Sequence, residues 1–237
     1  EETESKRSGR EKARVRRTKE RKERQAEVTA WPAAKSIRTS GRTKPPSINP
    51  SNRKRAPSKR KRRKKRKKPK MEFRYYQMPA GSPILALLGQ KWVQNYGNDV
   101  DYLHFHNYLE IGYCYGGDGF MVLGEEEKRF YGGIVTVIPP NYPHTTNSDI
   151  GTVSKWEYLF IDVEGFMKKF LDNPVKAEKV IQRIYSRALF FEEKENLSIS
   201  KKIHKILDIM RDGEEFFLEE AKGVLAALLV EIARLNR

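Results

Sequence analysis

Short apolar runs separated by glycine turns fill residues 102–163, and this pattern restricts the fold more than any other feature of the chain. The clearest turn signals are Gly116 to Gly119 and Gly124 to Glu126. An arm at residues 72–76 and early strands within 84–94 precede the expected strands, which are 102–115, 120–123, 128–131, 134–138 and 155–163. Many short strands with tight turns favour a closed barrel or jelly roll, because closure removes exposed sheet edges.

Two blocks of polar residues lie within these predicted strands. The first contains His104, His106 and Glu110 in the pattern H-x-H-x3-E-x6-G, and the second reads G-x5-P-x-N-x2-H and ends at His144. Residues an even number apart on a strand share a face, so the first three side chains are expected to point the same way. Together with His144 they would bind a divalent metal ion or hold a polar ligand inside a barrel. The alternative is that they are ordinary barrel residues satisfied by hydrogen bonds.

Beyond residue 163 the apolar residues recur with a helical period. We expect helices at 164–171 and 175–186, and residues 188–191 suit a last strand. A third helix, capped by Ser198 or Ser200, runs to Arg211, and a fourth runs from about Glu214 to the end.

The final helix carries an apolar stripe with the spacing of a helix–helix seam. We expect self-association through this helix, and the residues predicted for it are Val224, Leu225, Leu228, Ile232 and Leu235. The alternative is that the stripe packs only on the preceding helix, and both can hold because Leu225 and Leu229 widen the apolar face.

Positive charge is concentrated in residues 1–70, which hold 29 Lys and Arg against 7 Asp and Glu, whereas residues 71–237 hold 19 against 24. Trp31 is the single aromatic residue of this leader, so we expect it to be disordered. The run from Lys59 to Lys70 could bind nucleic acid without sequence specificity, since no aromatic residues interrupt it. Met71 is the first methionine, and we expect residues 1–70 to be a non-native leader.

Cysteine usage and hydropathy point to a cytoplasmic protein. Cys114 is the only cysteine, so no disulfide can form within the chain and a reducing compartment fits. No apolar run approaches 18 residues and no signal peptide is visible, so neither a membrane nor secretion is indicated.

The two blocks resemble the paired motifs of the cupin family, with Asn141 standing where the second motif usually has glycine. With the helices that follow, residues 71–237 resemble the N-terminal ligand-sensing and dimerisation domain of AraC-family transcription regulators. The resemblance implies a mainly β fold, in which a cupin or jelly-roll barrel at 71–163 binds an effector, often a sugar. An antiparallel helix pair within 164–237 would join two subunits of a homodimer. In that family a C-terminal helix-turn-helix domain binds DNA, and such a domain is absent before Arg237.

The resemblance also implies the lining of the effector site. It would consist of His104, His106, Glu110 and His144 together with Trp156, whose aromatic face suits the C–H side of a sugar ring. Effectors often replace the metal in such regulators, so we expect a small-molecule effector and no tightly held ion. The alternative is a site for Zn²⁺, Ni²⁺ or Mn²⁺ made by the same histidines and carboxylate.

Two other functions compete with this interpretation. A metal-dependent cupin enzyme, such as an isomerase or dioxygenase, is the first, because three histidines and one carboxylate leave open metal positions. Tyr113, Tyr115 and Asp118 are its acid–base candidates by proximity in sequence alone, and no catalytic residue is assigned. A basic nucleic-acid-binding protein is the second, and it rests entirely on residues 1–70.

Limited proteolysis should trim the chain to near Met71 and leave a compact core, because the leader has too few apolar residues to fold. Mass spectrometry of the products gives the boundary. A protected fragment that begins before Lys59 would contradict this expectation.

Overall fold

The computed structural model describes residues 35–37, 70–89 and 102–237, and of residues 35–37 only the backbone. The remainder of the predicted leader lies outside these ranges. The strands are β1 Lys35–Ile37, β2 Lys70–Tyr75, β3 Ile84–Leu87, β4 Tyr102–His106, β5 Leu109–Gly116, β6 Gly119–Leu123, β7 Glu126–Phe130, β8 Ile134–Ile138, β9 His144–Ser148, β10 Lys155–Ile161 and β11 Leu189–Glu192. The helices are α1 Val163–Phe170, α2 Pro174–Tyr185, α3 Leu197–Asp212 and α4 Phe217–Leu235.

The strands form two sheets whose inner faces pack together. One sheet has the order β1-β2-β4-β9-β6-β7 and the other β11-β8-β5-β10-β3. Met121 and Phe130 of the first sheet share an apolar cluster with Leu85, Ile138 and Phe160 of the second. The predicted mainly β fold, a jelly-roll barrel followed by helices, is confirmed.

The five-stranded sheet is buried on both faces. On β10, Trp156 and Phe160 point into the barrel, whereas Leu159 and Ile161 belong to a second core shared with the helices. The alternation of side chains along a strand gives each face its own core. The six consecutive buried residues from Trp156 to Ile161 therefore form a strand in a sheet that is covered on both faces, and not a buried helix.

Helices α3 and α4 form an antiparallel pair on the outer face of this sheet, as predicted. Lys202 of α3 and Glu231 of α4 make an ion pair of 2.7 Å across it. None of the helices in the described ranges is long and apolar enough to cross a membrane.

The apolar stripe of α4 is not free for a second subunit. Leu225, Leu228 and Ile232 are completely buried in the core of their own chain, and among the five residues predicted for self-association only Val224 and Leu235 keep exposed surface. For the three buried residues the alternative, packing within the chain, is correct. Self-association itself stays a prediction.

The predicted strand at 102–115 is two strands in different sheets. The chain turns at Asn107, between β4 and β5. Oδ1 of Asn107 accepts a hydrogen bond of 2.9 Å from the backbone N–H of Tyr76, and its Nδ2 donates one of 3.0 Å to the carbonyl of Tyr76. The corner is fixed by a residue 31 positions away, so the local pattern of apolar residues could not reveal it.

The expected last strand at 188–191 is β11, which pairs with β8 of the five-stranded sheet. One smaller expectation needs correction. Asn196, and neither predicted serine, is the N-cap of α3, and its side chain makes no capping bond. The hydroxyl of Ser200 donates instead to the carbonyl of Glu193 at 3.0 Å.

Leu228→Glu should destabilise the fold by at least about 3 kcal/mol, since it places a carboxylate without a partner in the core beneath α4. Urea unfolding followed by circular dichroism measures the loss. Ala227→Glu is the matched control, because Ala227 is exposed and the change should stay within about 0.5 kcal/mol. A stable Leu228→Glu protein that is merely monomeric would restore the predicted seam between subunits.

Candidate functional site

Four of the predicted site residues lie together inside the barrel. Nε2 of His106 is 3.1 Å from Oε2 of Glu110, and Nε2 of His144 is 3.7 Å from Oε1 of the same carboxylate. The ring centroids of His104 and His144 are 4.1 Å apart. All four side chains are buried, so this histidine–glutamate cluster is shielded from bulk water.

The cluster is built from both sheets. His104 and His106 are on β4, and His144 on β9 pairs directly with His104 in the six-stranded sheet. Glu110 is on β5 in the other sheet and faces them across the interior. The prediction that His104, His106 and Glu110 share one strand face is therefore wrong, although all three point into the barrel. At Asn107 the chain passes from one sheet to the other, and the side chains of the cluster on both sides of this turn point into the barrel.

The proline loop before His144 is tied to the first block. The backbone N–H of Asn141 donates a hydrogen bond of 2.8 Å to the carbonyl of His106. Asn141 has φ of 60°, in the left-handed region where asparagine is among the best-tolerated residues after glycine. This explains why an asparagine can stand where the motif usually has glycine.

Backbone carbonyls orient two of the imidazoles. Nδ1 of His106 lies 2.8 Å from the carbonyl of Tyr108, and Nδ1 of His144 lies 2.9 Å from that of Tyr142. A carbonyl can only accept, so each Nδ1 carries a proton and the Nε2 atom of each ring is directed to the interior. Among the described residues, no hydrogen-bond partner is found for Nε2 of His106, Nε2 of His144 or Nδ1 of His104.

Burial and charge set the protonation of the cluster. Burial lowers the pKa of His104 well below its ordinary value, and His144 and Arg74 act in the same direction. Burial alone would raise the pKa of Glu110, but the attraction of His144 and the contacts with both imidazoles outweigh it and hold that pKa well below its usual range. The interior thus contains an ionised carboxylate next to the Nε2 atoms of two imidazoles.

Such a group of buried polar side chains suits a metal ion or a polar ligand. His104, Glu110 and His144 each offer an atom within 4.8 Å of the others, so these three fit a divalent ion. His106 lies outside that set but touches Glu110. The unpartnered buried nitrogens fit either occupant, because an imidazole nitrogen can bind a metal ion or form a hydrogen bond with a polar ligand.

Trp156 lies deeper in the barrel than the histidines. It is paired with Cys114 on β5, whereas Phe160 is paired with Glu110, so about 13 Å of strand separates the two rows. The indole packs edge to face on Phe130, with ring centroids 5.1 Å apart. Trp156 therefore lines the interior, as predicted, but in a different layer from the cluster.

Gly112 allows the side chains between the histidine–glutamate cluster and Trp156 to pack closely. A Cβ atom at this position would lie 2.6 Å from Oγ1 of Thr136 and 3.1 Å from the ring of Tyr158. The side chains of β8 and β10 thus meet over the backbone of β5 and form a floor beneath the cluster.

Two aromatic residues beside the cluster were not predicted as site residues. The ring centroid of Phe160 lies 5.2 Å from that of His106, and Tyr76 stacks on Phe160 at 3.8 Å. The alternation that singled out Trp156 extends to Phe160 and could have identified it. For Tyr76 no signal in the sequence connects it with the histidines.

The acid–base candidates of the enzyme hypothesis lie away from the cluster. Tyr113 points outward and its ring packs against His204 of α3, with centroids 4.4 Å apart. Tyr115 is exposed, and Asp118 is at the surface 3.7 Å from Arg129. None of the three reaches the barrel interior.

Comparison with known proteins supplies a family. The model of the AraC-like ligand binding domain matches residues 94–229, more than half of the chain. The chain belongs to this family. The match covers both motif blocks and nearly all of the helical segment. No curated protein sequence matches the chain significantly.

Several solved structures are similar to this chain. Apo ToxT from Vibrio cholerae is 10% identical over 65% of this chain and 57% of its own, with a TM-score of 0.42. The AraC-like transcriptional activator CuxR is 10% identical over 52% and 42%, with a TM-score of 0.32. A cupin 2 conserved barrel domain protein from Rhodopseudomonas palustris is 18% identical over 37% and 68%, with a TM-score of 0.26. No TM-score here reaches 0.5, so membership rests on the family model.

Asn141→Val should destabilise the domain by about 1–3 kcal/mol, because a β-branched residue is strained at a φ of 60°. Asn141→Gly is the control and should be close to neutral. Equilibrium urea unfolding measures both. Equal stability of the valine variant would show that the loop relaxes freely and does not anchor His106.

Proposed function

We propose that this chain is the effector-sensing domain of an AraC-type transcription regulator and that the histidine–glutamate cluster recognises the effector. One observation carries the proposal. Three imidazole nitrogens without hydrogen-bond partners and an ionised carboxylate converge inside a closed barrel that belongs to a ligand-binding family. Buried polar groups are stabilised only when they are paired, so the cluster needs an occupant.

The chemistry of the cluster favours a neutral effector with several hydroxyl groups. Imidazoles and a carboxylate form hydrogen bonds readily, and the hydroxyls of a sugar can both donate and accept them. Phe160 and Tyr76 add apolar ring surface next to His106, which suits the C–H face of a sugar. A sugar-like molecule therefore fits both the polar cluster and the aromatic rings beside it.

Homodimerisation and DNA binding belong to the same proposal. The family resemblance assigns DNA contact to a helix-turn-helix domain and not to residues 71–237. On α4 the surface that could face a second subunit would include Val224 and Leu235, since the other predicted seam residues are in the core.

A metal-dependent cupin is the second candidate. The observation that favours it is the anchoring of His106 and His144 through Nδ1 to backbone carbonyls, which is how proteins commonly orient metal-binding histidines. His104, Glu110 and His144 would hold a divalent ion. Such an ion would supply Lewis acidity to a bound substrate.

Calorimetric titration of the whole chain with pentoses, hexoses and an unsaturated fatty acid tests the first candidate. The fatty acid is included because one compared structure is ToxT with such a molecule bound. We expect a sugar to bind, and His144→Ala should weaken binding by about ten-fold or more through loss of a buried hydrogen bond. His204→Ala is the matched control, since His204 lies outside the barrel on α3. Binding of the fatty acid alone would replace the sugar with a lipid effector.

Elemental analysis of the purified chain separates the two candidates. The sensor proposal expects less than stoichiometric zinc, nickel and manganese. Near-stoichiometric metal in the unchanged chain and in His204→Ala, lost in both His104→Ala and His144→Ala, would favour the metal-dependent protein instead.

A further inference from the structure

Two polar side chains of the barrel interior are not part of the histidine–glutamate cluster and have no hydrogen bonds. They are Thr136 of β8 and Trp156 of β10, and both are completely buried. Neither Oγ1 of Thr136 nor Nε1 of Trp156 has a partner among the described residues. In the described ranges, the other buried side-chain atoms without partners all belong to the histidines of the cluster. The unpaired buried polar atoms are therefore concentrated in the barrel.

Gly112 brings these two side chains to one place. A Cβ atom on Gly112 would lie 2.6 Å from Oγ1 of Thr136 and 3.3 Å from Cε3 of Trp156. Both side chains therefore border the same point on the interior side of β5, where glycine leaves them room. Gly112 is two residues beyond Glu110 on β5, so this point lies about 7 Å along the strand from the level of the cluster. One sugar ring with its hydroxyls can span such a separation.

The hydroxyl of Thr136 is costly in the strand that carries it. Strand β8 is otherwise made of valine and isoleucine, and all five of its residues are buried. Valine has nearly the same shape as threonine and suits a strand equally well, but it would bury no unpaired oxygen. The hydroxyl thus lowers the stability of the chain without an effector, which is typical of a group kept for binding.

Other polar groups of the deeper barrel are paired within the fold. The hydroxyls of Ser148 and Ser154 lie 2.6 Å apart, and both residues are buried. The thiol of Cys114, which is paired with Trp156 across the sheet, donates to the carbonyl of Gly116 at 3.4 Å. Against these neighbours the unpaired atoms around Gly112 are exceptional, and they need an explanation that the fold alone does not give.

The two atoms define the chemistry of the group that would pair with them. The indole N–H of Trp156 can only donate a hydrogen bond, whereas the hydroxyl of Thr136 can both donate and accept. A group that satisfies both must contain an acceptor, such as a hydroxyl or carbonyl oxygen. An alkyl chain would leave both atoms unpaired. A metal ion held by the cluster would lie at the level of Glu110, which is paired with Ile138 and not with Thr136.

We propose that Thr136 and Trp156 form a second binding level of the barrel and recognise an oxygen atom at the inner end of the effector. The inference rests on the proposed function, because the histidine–glutamate cluster would hold the outer end of the same molecule. It also specifies the effector further. The molecule carries hydroxyl or carbonyl oxygens at both ends, as a monosaccharide does and a fatty acid does not.

Thermal unfolding of the whole chain without any sugar tests whether the hydroxyl of Thr136 is unpaired. Thr136→Val keeps the shape of the side chain and should raise the midpoint of unfolding by about 2–4 °C, because it removes a buried polar group without a partner. Ser148→Ala is the matched control, since it removes a paired hydroxyl and should lower the midpoint by a similar amount. A midpoint that stays the same or falls in Thr136→Val would overturn the proposal.

Calorimetric titration of the same variants with pentoses and hexoses tests the binding level itself. For the sugar that the unchanged chain binds most tightly, Thr136→Val and Trp156→Phe should each weaken binding by about ten-fold, since each removes a buried hydrogen bond but keeps the apolar surface. Thr136→Ser keeps the hydroxyl and should bind nearly as tightly as the unchanged chain. Ser148→Ala should leave the affinity unchanged, because Ser148 lies four residues beyond His144 on β9.

Monodeoxy analogues of that sugar identify the recognised oxygen. The analogue that lacks it should bind the unchanged chain and Thr136→Val with equal affinity, because the partner of Thr136 is already gone. Equal affinity of the parent sugar for the unchanged chain and for Thr136→Val would overturn the second level and leave binding by the cluster intact. An unchanged chain that binds no pentose or hexose would overturn the sugar effector, and this inference with it.

Discussion

The burial of one sheet on both faces is the constraint on which the rest of the molecule depends. Strand β10 sends Phe160 into the barrel and Leu159 toward the helices, so the two cores share a single layer of backbone. The helices cannot be removed without exposing the outer core, and the barrel cannot lose β10 without losing both. This explains why the buried residues of the apolar stripe on α4 pack within their own chain and are not available to a partner.

The buried histidine–glutamate cluster is a polar exception within this mainly apolar interior. A carboxylate and three imidazoles are expensive to remove from water, and the backbone carbonyls of Tyr108 and Tyr142 satisfy only one nitrogen on each of two rings. Nδ1 of His104 and the Nε2 atoms of His106 and His144 are buried without hydrogen-bond partners among the described residues. A protein that retains such a group in its interior gives up stability there, and binding of an occupant restores it.

The sequence predicted the barrel, most strand bounds and the meeting of four site residues, because glycine turns and alternation are local signals. It failed where distant residues decide the outcome. The turn at Asn107 depends on Tyr76, and the burial of Leu228 depends on a core that also contains residues of β5, β8, β10 and the other helices. The stripe on α4 reveals an apolar face but not its neighbour, because periodicity carries no information about what covers a helix.

The orientation of the imidazoles by main-chain carbonyls leaves the rim free to change during evolution. Nδ1 of His106 and Nδ1 of His144 are held by peptide oxygens of residues 108 and 142, and every amino acid offers the same oxygen. Side chains at those two positions can therefore be exchanged to suit a new molecule without altering how the histidines point. A single scaffold of this kind can acquire different chemical preferences through a few substitutions at its entrance while the polar centre stays as it is.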